Sequence, residues 1–243
     1  MSQALTPHQA AAQALAKQRD SSAARLAGLS TGEGMQFVKG KAGRWTFPDG
    51  DVVKNEITVV VLDWAYHYSF WPKDQPYDPN NQQPPVCVAV GQSAGEMRPS
   101  DNSIDKQHEG PCATCPQNQF GSGGGNRKAC KNSIVLAFKR YDDEIEDDTI
   151  YFLGVPPSAL KGWGQYVSKL AQAGRAPAEV VTVVAFDEKV DYPKPVFTAD
   201  ARRTKEYLEV DEDGNSYFAA FVTDLDKATQ TLLREPTFNR DED

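Results

Sequence analysis

Cysteine, histidine and methionine are all scarce in this chain of 243 residues, at four, three and three. Three scattered histidines leave little material for general acid–base chemistry. No run approaches the roughly 18 consecutive apolar residues of a membrane span. The Ala-rich N-terminal stretch is broken by Gln, Lys and Arg, so it does not read as a signal peptide. The phosphate-loop pattern GxxxxGK[ST], the zinc-protease pattern HExxH and the nucleophile elbow GxSxG are missing. The glycine run at residues 121–125 lacks the strand-to-helix context of a nucleotide loop. No internal repeat is visible. These absences point away from a membrane protein and from an enzyme, and lead to the expectation of a soluble, cytoplasmic, non-enzymatic protein.

The few cysteines present are concentrated. Cys112, Cys115 and Cys130 lie within residues 110–132, and Cys87 precedes Cys112 by 24 intervening residues. The two-residue gap between Cys112 and Cys115 lets both thiolates face one ion. Pro111 and Pro116 stiffen the turn, and the glycines at 121 and 123–125 let the chain fold back to deliver Cys130. This reads as a zinc knuckle. Cys87 completes an all-cysteine ligand set, with His108 as the alternative fourth ligand. A closed four-ligand site has no open position for substrate, so the expected zinc is structural. Two rival uses of four cysteines remain: a pair of disulfides in a secreted protein, and an iron–sulfur cluster. Pro111-Cys112-Ala113-Thr114-Cys115 also matches half of a zinc-deaminase signature, but His108-Glu109 stands in the wrong order and spacing for the other half.

Net charge is −8, which on its face argues against a polyanionic partner. Its distribution reverses that argument. Residues 209–243 carry ten acids against three bases, and residues 141–148 carry six acids. The body that remains is mildly basic, at +5.

Hydrophobic residues at 40% supply enough apolar side chain for a sizeable core. Thr6-Pro7-His8-Gln9 is a capping-box start for an Ala-rich helix running to about residue 28, followed by a flexible joint to residue 34. Short strands are expected at 36–38 and 44–47, with a turn at 48–51. The strongest strand signal is 56–71, with Thr58, Val60, Leu62, Trp64, Tyr66, Tyr68 and Phe70 counted onto one face. Its length predicts a bend or bulge near Asp63. Further strands are expected at 86–90, 133–138, 149–153, 179–186 and 195–198, with 133–138 and 149–153 as a hairpin. Helices are expected at 159–173, capped by Ser158 and stopped by Gly174, and at 225–233. The expected fold class is mainly β with peripheral helices (α+β): an oligonucleotide-binding (OB)-like small β-barrel over 35–208 with a zinc-knuckle insertion around 108–132. Residues 1–34 and the acidic region 209–243 flank it.

Two groups of bases border aromatic residues: Lys39, Lys41 and Arg44, and then Arg127, Lys128, Lys131, Lys139 and Arg140. Either group alone reads as a solvated face; beside aromatic strands they suggest a groove that tracks phosphates. Tyr66, Tyr68, Phe70, Trp71, Trp45 and Phe120 are the candidate stacking residues, while Trp64 is read as core. In the C-terminal tail, Phe238 with Asp241, Glu242 and Asp243 forms an acidic peptide with an apolar anchor. It is a candidate for docking on partner proteins or for competing with nucleic acid. Together these features resemble the bacteriophage single-stranded DNA-binding (helix-destabilising) proteins, some of which carry a zinc site inserted into an OB barrel, a basic aromatic cleft and an acidic tail. The resemblance implies a protein that coats single-stranded DNA during phage DNA replication or recombination, with replication proteins as further partners, in the host cytoplasm. A zinc-knuckle protein-interaction module of a replication or transcription complex is the alternative.

Overall fold

The computed structural model describes residues 35–73, 84–141 and 149–236. The N-terminal helix expected to residue 28, the acidic loop 142–148 and the tail residues Phe238, Asp241, Glu242 and Asp243 lie outside the described residues. Ten strands are described: β1 (Gln36–Phe37), β2 (Lys39–Lys41), β3 (Arg44–Thr46), β4 (Val52–Lys54), β5 (Glu56–Phe70), β6 (Cys87–Gly91), β7 (Lys131–Arg140), β8 (Tyr151–Val155), β9 (Val181–Phe186) and β10 (Pro195–Ala199). The helices are α1 (Leu160–Gln172), α2 (Ala201–Leu208), α3 (Tyr217–Val222) and α4 (Leu225–Leu232).

Most of the 15 residues of β5 are β-branched, aromatic or aliphatic, and the strand is central to a mainly antiparallel sheet in the order β1-β8-β7-β5-β9-β10. β7 takes one edge of β5 along most of its length. The other edge is divided: β9 pairs with residues 56–60 and β6 with residues 66–70. A second sheet, β2-β3-β4, has strands of three residues each. The structure is thus α+β with a sheet-dominated core. The expected barrel is not closed among the described residues, because β1 and β10 end the main sheet on opposite sides.

The irregularity expected near Asp63 is present, as a register shift between Val61 and Asp63 against β7. Its consequence for the side chains differs from simple counting by twos, since one extra residue reverses the alternation. Ile57, Val59 and Val61 share a core with Trp64 and Tyr66, whereas Val60, Leu62 and Ala65 belong to the opposite face. The first face is covered by β2–β4, through Trp45 and Phe47, and by α1, through Trp163, Tyr166 and Leu170. The helix α1 runs where expected and stops at Gly174, whose φ of 70° is the left-handed conformation glycine tolerates. Ser158 does not cap it, because a 3-10 turn, Pro157–Ala159, occupies that stretch.

The second face is closed by Tyr207 of α2, Phe218 and Phe221 of α3, and Leu225, Ala228 and Leu232 of α4. The acidic C-terminal region is therefore part of the folded body as far as Leu232. The sequence pattern predicts α4 but not α2 or α3. Their Asp200 and Ser216 N-caps, each accepting an amide three residues on, were the available signal. Three polar contacts tie this layer to the sheet. Lys139, 2% exposed, pairs with Asp224 at 2.5 Å; Thr229 donates to Asp63 at 2.5 Å; and the His67 Nε2 lies 2.9 Å from the Leu232 carbonyl.

Burial sets the titration of this layer. Desolvation pulls the His67 imidazole below its ordinary value near 6.5, against the opposing pull of the Leu232 carbonyl. Desolvation raises the Asp63 carboxyl, partly offset by the Thr229 hydrogen bond. A histidine whose folded value lies below its unfolded one stabilises the fold above about pH 6.5 and loses that contribution as the pH falls. Denaturant unfolding should therefore show wild-type stability declining between about pH 7 and pH 5, with a flatter decline in His67→Gln; parallel profiles would remove His67 from the account.

Candidate nucleic-acid interface and cysteine cluster

The end of β5 brings the cysteines together. Cys87 opens β6 directly opposite Phe70, and Cys130 immediately precedes Lys131, which pairs with Ser69 on the other side of β5. Cys112 and Cys115 arrive from the long connection between β6 and β7, in two 3-10 turns, Cys112–Thr114 and Pro116–Asn118. All four are free thiols, and all four line one cavity of about 20 Å³ with Tyr68, Phe70, Val88, Ala89 and Asn118. That volume holds one water-sized sphere. His108 does not line it; its Nε2 lies 3.0 Å from the Thr114 hydroxyl. Cys87 is thus the fourth member of the cluster in space. Among the described residues no group of three His, Cys, Asp or Glu side chains is arranged so as to hold a metal ion.

Desolvation is the main influence on two of these thiols. It pushes Cys112 up to about 11 and Cys130 up to about 12, with the neighbouring cysteines adding to the rise. Without a cation, the cluster therefore keeps these two sulfurs protonated at neutral pH.

The cysteine segment has almost no apolar core of its own. Its buried contacts amount to Cys112 with Met97, Ala89 and Tyr68. Polar side chains hold the backbone instead. Asn118 donates to the Cys112 carbonyl at 2.8 Å, and Gln119 donates to the Ala113 and Cys115 carbonyls at 2.8 and 3.0 Å. Ser122 receives the Ala129 amide at 2.9 Å, and the Cys130 amide reaches the Gln117 carbonyl at 2.8 Å. The Gly121 and Gly123 amides both donate to the Arg127 carbonyl at 3.0 Å. This weave presents Arg127 and Phe120 to solvent, Phe120 being 73% exposed with the Lys128 ammonium 5.1 Å from its ring. Lys128 is half-buried and donates to Asn118 at 3.2 Å.

The remaining candidates divide by location. Tyr66 is half-buried between the main core and the cysteine cluster, touching both. Its ring stands edge-on to Trp64 at 5.3 Å and to Tyr68 at 6.3 Å. Trp64, read from sequence as core, is also half-buried and stands edge-on to Trp163 at 6.2 Å. The bulge puts Trp64 in this row. Tyr68 and Phe70 are buried and brace the cysteines, while Trp71 is half-buried. Lys131 is exposed at the start of β7.

Two basic residues and one aromatic expected at the interface have other partners. Lys139 faces the second core, paired with Asp224 and 5.2 Å from the Phe221 ring, because it lies opposite Val60. Arg140 pairs with Asp51 at 2.8 Å and lies 4.7 Å over Phe47. Both occupy the far end of β7, about 25–30 Å from Lys131 at 3.3 Å per strand residue. Trp45 is 1% exposed, stacked on Phe186 at 4.1 Å, and has no face to offer a base. Lys39, Lys41 and Arg44 are exposed on the small sheet, near the opposite end of β5 from the cysteines.

Comparison with protein-family models, curated proteins and solved structures found no match. No helix among the described residues is long and apolar enough to cross a membrane.

Gly123 is the tightest point of the cysteine segment. A Cβ there would sit 2.7 Å from the Lys128 carbonyl oxygen and 3.0 Å from the Ala129 nitrogen, both backbone. Gly123→Ala should cost about 1–3 kcal/mol locally, as overpacking does. Hydrogen exchange should accelerate in residues 112–130 while the amides of β5 and β7 keep their protection. Unchanged exchange in the segment would show that its backbone can yield.

Proposed function

We propose that this protein binds single-stranded DNA with little sequence preference, as a coating protein of the phage replication or recombination type, and does not act as an enzyme. The observation that carries the reading is the half-buried Trp64–Tyr66 pair on the face of β5 that also bears the cysteine segment, with its exposed Phe120 and Arg127. Aromatic faces accept any base, and cations beside them meet the phosphates. Neither function requires a closed barrel. An open sheet with a bulged central strand presents the same combination.

Zinc is the cofactor this reading assigns to the cysteines, held by Cys87, Cys112, Cys115 and Cys130 in a structural role. Two features support it. The cavity admits one small sphere among four sulfur donors, and a cysteine segment this poor in apolar contacts gains from a metal staple. When bound, the ion would supply cross-linking of the two 3-10 turns to the starts of β6 and β7, and no catalysis. Removing it should loosen Phe120 and Arg127 relative to Tyr66.

Fluorescence anisotropy with labelled oligo(dT) tests the binding reading. Affinity should fall steeply with salt, and Tyr66→Leu should weaken binding by roughly 5- to 150-fold, corresponding to about 1–3 kcal/mol per stacked base. No binding at about 50 mM salt, even after deletion of the acidic tail, would sink it, and a co-purifying protein partner in that case would favour an interaction module. Metal analysis tests the cofactor separately. One equivalent of zinc should survive His108→Ala and be lost in Cys87→Ser, whereas a coloured, iron-containing protein would replace zinc by a cluster.

A further inference from the structure

The small sheet joins Lys54 to the basic group Lys39, Lys41 and Arg44 in one cationic row. β2 and β3 are joined by the two residues Ala42 and Gly43, with φ of 50° and 71°, the positive pair of a type I′ hairpin turn. That turn places Lys41 directly opposite Arg44, and the β3–β4 register places Arg44 directly opposite Lys54. Directly opposed residues point to the same face, so Lys41, Arg44 and Lys54 form one row across three strands. Lys39, two residues from Lys41, shares that face, while the Gly40–Trp45–Val53 row points into the core. All four bases are exposed, and among the described residues none has an ion-pair partner. The acids of the sheet itself lie at its other end, where Asp51 is paired with Arg140 and Asp49 receives the Asp51 amide and the Tyr151 hydroxyl, while exposed Glu56 opens β5 two residues past Lys54.

Like charges placed directly opposite destabilise a strand pair. Lysines on the edge strands β2 and β4 serve a second purpose, since charge on an edge discourages strand addition. Arg44 has no such purpose, because β3 is the central strand. A three-strand cationic row centred on an interior strand matches the repeating charge of a phosphate backbone.

We infer that the outer face of β2–β4 is a second nucleic-acid contact, a phosphate-tracking platform made by Lys41, Arg44 and Lys54 with Lys39 beside them. It is separate from the aromatic contact at Trp64 and Tyr66. The inference rests on the single-strand reading and extends it. The aromatic end and the platform lie toward opposite ends of β5, so one bound strand crosses the molecule from the cysteine segment to the small sheet. The platform contributes charge without stacking, because Trp45 is turned inward beneath it.

The test is the salt dependence of oligo(dT) binding by the full chain, with Lys41→Gln/Arg44→Gln/Lys54→Gln compared against Arg202→Gln/Lys205→Gln/Lys227→Gln. The second set lies on α2 and α4, on the opposite side of the main sheet, and removes the same amount of charge. Each lost phosphate contact on a single strand lowers the slope of log Kobs against log[salt] by about 0.7, so the platform variant should lose about 2 from its slope. The α2/α4 variant should keep the wild-type slope. An unchanged slope in the platform variant, or an equal loss in both, overturns the platform while leaving single-strand binding intact. Self-association of the platform variant with an unchanged slope likewise overturns it, assigning the row to edge protection. Wild-type protein that binds no oligo(dT) overturns the platform together with the function it extends. Lys54→Gln alone, expected to lose about 0.7, provides the same reading if the triple variant fails to fold.

Discussion

The extra residue in β5 is the constraint on which the arrangement of both faces depends. Before it, odd-numbered residues face β2–β4 and α1; after it, even-numbered residues do. Without the shift, Trp64 and Tyr66 would point toward the C-terminal helices. Asp63 and His67 would then point toward the cysteine side, where neither Thr229 nor the Leu232 carbonyl could reach them. A one-residue change of register thus sorts this strand into an aromatic face and a polar, helix-anchoring face. It also accounts for the divided edge of β5. β9 serves the strand before the irregularity and β6 serves it after, each pairing with five residues.

Much of this was legible in the sequence, and its limits are physical. The β-branched run at 56–70, the hairpin of β7 and β8, the helix ending at Gly174 and the bulge itself all follow from local pattern. The facing of side chains beyond the bulge does not, because periodicity locates a kink without saying which residue is the extra one. For the same reason the run Arg127 to Arg140 looked like one basic patch. In space Lys131 and Arg140 sit at opposite ends of a ten-residue strand, and alternation turns Lys139 inward to Asp224. Lys54 is not legible as part of the cationic row, because its neighbours there are cross-strand partners rather than sequence neighbours. The cysteine grouping was readable because the Cys112–Cys115 spacing is local, but the choice between Cys87 and His108 depended on where β6 begins.

The cysteine segment and the second core illustrate two ways of holding chain without a large apolar interior. Between Pro111 and Cys130 the buried apolar surface is small, so side-chain amides and hydroxyls satisfy the backbone, and desolvated thiols are held at one point. Desolvation keeps the Cys112 and Cys130 thiols neutral, which makes a metal-free cluster a low-charge pocket with little to cross-link it. The C-terminal helices solve the opposite problem. They bring abundant aromatic surface, with Tyr207 and Phe221 packed on Tyr141 just past β7, but are too short to be stable alone. Burial against Val60, Leu62 and Ala65 supplies what their length lacks.

This division has a consequence for how the two faces communicate. Residues 63–68 alternate, one side chain to the C-terminal layer and the next to the aromatic row, so Asp63 and His67 share a backbone with Trp64, Tyr66 and Tyr68. The Asp63–Thr229 and His67–Leu232 contacts hold that backbone from behind, and Glu235 extends the hold by accepting the Ser100 hydroxyl at 2.5 Å in the loop that leads to the cysteines. The aromatic row is therefore positioned less by its own side's packing, where Trp64 and Tyr66 are only half-buried, than by polar contacts on the reverse of the same strand. Acid in the C-terminal region is part of that support. Asp224 neutralises the buried Lys139, and Glu235 anchors the loop. The negative charge that seemed to oppose a polyanionic partner is, at these two positions, spent inside the fold, leaving the bases of the opposite face to solvent.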